Sequence, residues 1–303
     1  MNLAVGFSLI AEVYPDEVSK YISFFESFNA LVFVISPIFS GILSEFTGYM
    51  NSYLIISLIF LPSFLLIFYY SRNYKNMVPP NNDLETVPLN QEEDRKKYVL
   101  ETFKLLGKQE ILLVLFHFAF HTMSLFLPDA GIYNHVKDIV KGGNKFYLGT
   151  MLSTTCLGNF ITTIVLSNQI GKVNRKLFFI IGTSVVAFSL FILGPEPFIF
   201  LEKAIWTIYL AFFLSGCSLF YTNYVALPDF IETTKNETDI KSELEIQDRA
   251  SSLISFGLSL GNIFGALFGG VYIEYFGFAR AMSFQACFVL IFTLIFAWKK
   301  KNV

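Results

Sequence analysis

Apolar runs long enough to cross a bilayer recur along the whole chain, separated by short charged stretches. A hydrocarbon core of about 30 Å takes about 20 residues of apolar helix, so each run predicts a spanning helix. The runs fall at residues 21–44, 52–71, 148–170, 177–194, 205–227, 251–273 and 281–298. An eighth extends from Ile111 to Tyr133, and a partial one occupies residues 2–14. Pro128-Asp129 interrupts the eighth run, which a membrane helix tolerates where its neighbours satisfy the carbonyl that the proline frees. The pattern therefore predicts an all-α, polytopic membrane protein.

One long polar segment breaks the series. Residues 72–110 carry Pro79-Pro80-Asn81-Asn82-Asp83 and then Glu92-Glu93-Asp94-Arg95-Lys96-Lys97, and they read as a solvated linker. Its end, Lys97 to Gln109, sets Val99, Phe103 and Leu106 on one helical face, which suits either a short helix on the headgroup surface or a solvated one. The expected organisation is the end of one helix bundle (1–71), the linker (72–110), a six-helix bundle (111–298) and a basic tail (299–303).

Composition narrows the class. Of 303 residues 54% are apolar and 15% charged, and the mean hydropathy is +0.55. A soluble domain is about a quarter charged, so an ordinary water-soluble globule is excluded and the lipid bilayer is the first partner. A net charge of -2 offers no basic surface for nucleic acid. Cys156, Cys217 and Cys287 all lie in apolar runs without metal-ligand spacing, so neither a disulfide framework nor a metal site is signalled. No phosphate-binding loop, nucleophile elbow or cofactor motif is present, which points away from an enzyme.

Basic residues orient the chain. If successive loops alternate between two sides, one side holds 17 of the 22 Lys and Arg, and the other holds only Lys137, Lys141, Lys145, Lys203 and Arg280. The first side, with the linker, the 228–250 loop and the C-terminus, is expected to be cytosolic. The Asn236-Glu237-Thr238 sequon would then stay unmodified.

An internal repeat sets the architecture. At an offset of 229, Ser23, Leu31, Phe39, Gly41, Glu45 and Gly48 meet Ser252, Leu260, Phe268, Gly270, Glu274 and Gly277 without a gap. The period is six spans, so two related six-helix bundles are expected, the second complete and the first represented by its last helices. On this count about three and a half spans would precede Met1, and the 303 residues alone are expected to be poorly stable or inactive.

Ionisable groups at membrane depth cost at least about 2.5 to 3.5 kcal/mol, which makes them candidates for function. Glu26 lies among Phe24, Phe25 and Phe28, where it could exchange a proton, pair with an ammonium, or cap a neighbouring helix. Asp129 follows Pro128 in the outer half of its span, as either a cation site or an Asx turn ending the helix. His117 and His121, four apart, share one helix face and could relay protons, with interhelical hydrogen bonding the favoured reading. Asp229, after Pro228, reads as a gating contact. Gly257, Gly261, Gly265 and Gly269, spaced by four, predict close helix packing.

These features resemble the major facilitator superfamily, from that fold's fourth helix to its twelfth. Its antiporters carry a glycine-spaced stretch ending Gly-Pro-x-x-Gly-Gly, which stands here as Ser36-Pro37-Ile38-Phe39-Ser40-Gly41, with Pro37 and Gly41 kept. Within the superfamily the chain is similar to vesicular amine transporters, particularly the polyamine-carrier branch. Glu26-Ser27-Phe28, Phe126-Leu127-Pro128-Asp129, Leu193-Gly194-Pro195 and Ser215-Gly216 through Pro228-Asp229 carry that likeness. Ser167 to Lys176 resembles the superfamily's gating loop, with Asn168 in place of its usual acid and Arg175-Lys176 as its basic end.

The resemblance implies an integral, multi-pass secondary transporter of a vesicle, vacuole or plasma membrane, which exchanges a small organic solute, an amine or polyamine, for protons. Glu26, Asp129, His117 and His121 would bind substrate or proton, while Pro37, Gly41, Asp229, Arg175 and Lys176 would serve the conformational change. No cofactor is implied. A rival of another class is a non-transporting fragment or incompletely assembled gene, and a third is a facilitator for a neutral or anionic solute.

Overall fold

The computed structural model describes residues 18–77, 100, 102–140, 145–166, 174–194, 204–237 and 243–299, and every regular element among them is helical. In chain order these are α1 (Val18–Met77), α2 (Gln109–Phe126), α3 (Ile132–Ile139), α4 (Lys145–Leu166), α5 (Arg175–Leu193), α6 (Ile205–Glu237), α7 (Glu243–Phe276) and α8 (Phe278–Lys299). Six apolar helical stretches among the described residues are long enough to cross a membrane, and Ile205–Leu219 of α6 is a shorter apolar one. The chain is an integral, multi-pass membrane protein. The partial span at 2–14, linker residues 78–99, loop residues 167–173 and tail residues 300–303 lie outside the described residues.

The expected spans 21–44 and 52–71 are the two limbs of α1, which breaks at Gly48 (φ 77, ψ 166). That backbone region is essentially closed to residues with a Cβ. The side chains beside the break satisfy the carbonyls it disturbs. Ser52 Oγ donates to the Gly48 carbonyl at 2.7 Å, and Asn51 Nδ2 donates to the Thr47 carbonyl at 3.0 Å. The other described residue with positive φ is Gly277 (φ 80), which separates α7 from α8. Gly48 and Gly277 are repeat-equivalent, so the two copies share their turn geometry as well as their residues.

α2 is the central helix, with ten of its eighteen residues buried against α5, α6, α7 and α8. α7 reaches it through the glycine stripe: a Cβ on Gly261 would stand 2.5 Å from Thr122 Cβ, and one on Gly269 would stand 2.6 Å from the Leu127 carbonyl oxygen. The predicted close packing is therefore present, and its partner is α2. α4 packs on α6 on one side and on α1 on the other. α1 otherwise presents its apolar side chains outward, as a helix in lipid does, with Ile67 68% exposed.

Two expectations are corrected. Residues 228–250 are not a loop: α6 continues through Pro228 to Glu237 and α7 begins at Glu243. Thirty-three residues of helix reach about 50 Å, longer than a hydrocarbon core is thick, and α6 carries Pro228 in its interior. The run from Ile111 does not reach Tyr133 as one helix. It stops at Phe126, tightens into a 3-10 turn over Leu127–Ala130 because Pro128 has no N–H to donate, and restarts as the short α3. Before Gln109, residues 100 and 102–105 are helical among the described residues, and Leu105 is buried with Ile111, Phe178 and Phe230. Phe103, expected on the lipid-seeking face, is exposed, and its ring meets that of Phe256 edge-on at 6.3 Å.

Candidate functional site

The buried side chains of the bundle form two apolar clusters. One gathers Ile111, Val114, Phe118, Phe179, Phe230 and Phe296 toward one end of the bundle; the other gathers Met123, Val186, Ile208, Phe212, Met282 and Val289 toward the opposite end. Between them, along each helix in turn, fall His121 and Thr122 of α2, Thr183 of α5, Ser215 and Ser218 of α6, and Thr293 of α8. All but Ser215, which is half-buried, are buried. A polar belt thus crosses the bundle between two apolar layers.

Hydrogen bonds connect the belt across three helices. His121 Nε2 lies 3.2 Å from Ser218 Oγ, Ser218 Oγ donates to the Ser215 carbonyl at 2.6 Å, and the Ser215 hydroxyl meets that of Ser189 on α5. Gln285 of α8 donates to Ser124 Oγ at 2.9 Å one turn further along α2. On α4, Thr155 Oγ1 and Asn159 Oδ1 sit one turn apart, buried and without a protein hydrogen-bond partner. Such atoms are costly in an apolar interior unless water or a solute meets them.

The candidate residues separate into levels. His117 and His121 are both buried on the shared face that their spacing predicts, yet their surroundings differ. His117 stacks on Phe296 with ring centroids 4.0 Å apart and meets Phe179 edge-on at 5.4 Å, in the aromatic layer that also holds Phe118 and Phe230. His121 belongs to the hydroxyl belt. Asp129 is exposed in the 3-10 turn, about 12 Å further along the helix axis than His121, so the two do not share one pocket.

Asp229 is buried in the C-terminal part of α6, and Arg249 is buried near the start of α7; both have partners. Arg249, counted among the loop charges in the orientation argument, is therefore a helical interior residue. Arg175 opens α5, and the backbone N–H of Lys176 donates to the side chain of Asn174 at 2.9 Å, a helix cap. Pro37 and Gly41 form the α1 side of the contact with α4, where a Cβ on Gly149 would come 2.4 Å from the Pro37 carbonyl oxygen. Glu26 lies in α1, with its side chain outside the described residues. Sequence reasoning missed the serines and threonines of the belt, Arg249, and the Thr155–Asn159 pair. Only the Ser215-Gly216-Cys217-Ser218 cluster and the i, i+4 spacing of Thr155 and Asn159 carried any signal.

Apolar helices long enough to cross a membrane, glycine-mediated crossings and a polar belt inside the bundle define a polytopic helical membrane protein. The chain belongs to the Major Facilitator Superfamily, which matches residues 1–235. It is similar to the MFS-type transporter SLC18B1 of Homo sapiens, at 23% identity over 290 residues, covering 94% of this chain and 58% of that protein. The corresponding proteins of Mus musculus and Rattus norvegicus are each 22% identical, over 61% and 62% of their lengths. The chain thus spans about three fifths of the curated relatives it matches.

Proposed function

We propose that the chain acts in a secondary transporter that moves a small organic solute, an amine or polyamine, in exchange for protons by alternating access. The polar belt is the observation that carries this reading. Transporters of repeat architecture place their sites near the midplane between bundles, and the belt is where this bundle keeps its hydrogen-bonding groups. His121 and the serines of α5 and α6 would orient the solute, and His117 would act one turn toward the cytosol. Glu26 would hold the proton or the ammonium, since a carboxyl at membrane depth is most stable when neutralised by one or the other. Asp129 would serve the outer mouth. Asp229, Arg175 and Lys176 would close the cytosolic side, while Pro37 and Gly41 let α1 move against α4. Whole-protein transport is tested in vesicles containing the protein together with any coding sequence in frame upstream of Met1. An imposed pH gradient should drive saturable uptake of radiolabelled spermidine, and Glu26→Gln, which keeps size but cannot cycle a proton, should abolish the pH dependence while leaving membrane insertion intact. Undiminished pH-driven uptake by Glu26→Gln removes Glu26 as the coupling group, and absence of uptake by the parent removes the substrate class.

A further inference from the structure

Away from the polar belt, α2, α7 and α8 enclose a crevice of about 320 Å³. Its walls are largely aromatic: Phe120 of α2, Phe264, Phe268 and Tyr272 of α7, and Phe288 of α8 all line it. Along α7 the spacing of four stacks these rings into a ladder, with Phe264 and Phe268 centroids 5.8 Å apart and Phe268 and Tyr272 5.7 Å apart. Phe264, Phe268 and Phe288 are each exposed, so the crevice opens sideways rather than into the bundle. Its polar lining is confined to one level. Tyr272 lies about 6 Å from the end of α7 and Gln285 about 10 Å from the start of α8, close together in depth. The Gln285 amide nitrogen is committed to Ser124, which leaves its carbonyl oxygen as the acceptor on the wall.

We propose that this crevice binds one membrane sterol, with its ring system against the aromatic ladder and its hydroxyl at the level of Tyr272 and Gln285. Three features select a sterol over a phospholipid chain. The walls are flat rings, which match a rigid fused-ring face. A flexible acyl chain loses rotamer freedom when it is ordered in a groove, a cost that a rigid ligand largely avoids. The crevice has hydrogen-bonding groups at one level only, which suits a ligand with a single hydroxyl and wastes nothing on a saturated tail.

Sterol binding is read without any transport step, so its outcome is separate from that of the transport reading. The 303-residue chain is placed in phosphatidylcholine nanodiscs with a photoreactive cholesterol analogue, and the labelled residues are mapped by mass spectrometry. Labelling should be saturable, fall within residues 116–123, 260–272 and 285–288, and be competed by unlabelled cholesterol. Leu260→Trp, which fills the crevice, should cut labelling about tenfold, while Leu294→Trp on the outward face of α8 should leave it unchanged. If Leu260→Trp fails to elute as a folded species, Tyr272→Phe, which keeps the ring and loses the hydroxyl, should weaken apparent affinity several-fold. Unsaturable labelling spread over the exposed face of α1 overturns the proposal. So does equal competition by added phosphatidylcholine, or unchanged labelling in the folded crevice variants.

Discussion

The crossing of α4 and α6 rests on two glycines that face each other's helix, and this makes a sharp test of the packing. A Cβ on Gly216 would stand 1.9 Å from the Thr155 carbonyl oxygen, and one on Gly158 would stand 2.3 Å from the Phe213 carbonyl oxygen. Ordinary contact begins near 3.4 Å, so Gly216→Ala must move the helices apart by well over an ångström. Neither obstacle is a flexible side-chain end; both are backbone. Overpacking of this kind costs about 1–3 kcal/mol, and the better helix propensity of alanine returns about 0.5–1 kcal/mol. The net loss of about 0.5–2 kcal/mol corresponds to a fall in melting temperature of roughly 1–8 °C for a bundle of this size. Gly270→Ala is the control, because its new methyl meets nothing within 4 Å and only the propensity gain remains. The double variant Gly158→Ala, Gly216→Ala should lose less than the two single losses together, since helices already parted by one methyl accommodate the second. Thermal unfolding of purified protein, followed by size-exclusion fluorescence, reads all four. Melting of Gly216→Ala within about 1 °C of the parent would refute the claim that backbone proximity at this crossing is tight.

Two further outcomes are expected. Gly48→Ala and Gly277→Ala should each destabilise by about 1–3 kcal/mol although the added methyl meets open space, because positive φ and not crowding demands glycine there; equal melting of either variant and the parent refutes this. Single cysteines at Arg72 and Asn236, in a background lacking Cys156, Cys217 and Cys287, should react with an impermeant thiol reagent only after permeabilisation, and one at Glu274 should react before it; labelling in the reverse order inverts the topology.

The apolar periodicity by itself determined that this is a polytopic helical membrane protein, because in hydrocarbon a backbone must satisfy its own hydrogen bonds and a run of about 20 apolar residues leaves few other solutions. The repeat at offset 229 was equally legible, down to Gly48 and Gly277, since positive φ is a local demand that one residue type meets. The glycine stripe of α7 announced a close contact but not with which helix. Helix ends were read less well: Pro228 signalled a boundary, yet α6 runs through it, since a proline is tolerated where water or neighbours serve the carbonyl it frees. The polar belt was hidden for a different reason. Serine and threonine scattered along an apolar helix look alike whether they bond their own preceding turn, as Thr162 does to Gly158, or reach across to another helix, as Ser218 does to His121. Only the packing of α2, α5 and α6 brings residues 121, 189 and 215–218 to one depth, and only it divides His117, among phenyl rings, from His121, among hydroxyls. Helical spacing fixes which face a side chain occupies, while what that face meets depends on partners up to 161 residues away in the chain, a choice that the three-dimensional arrangement alone makes.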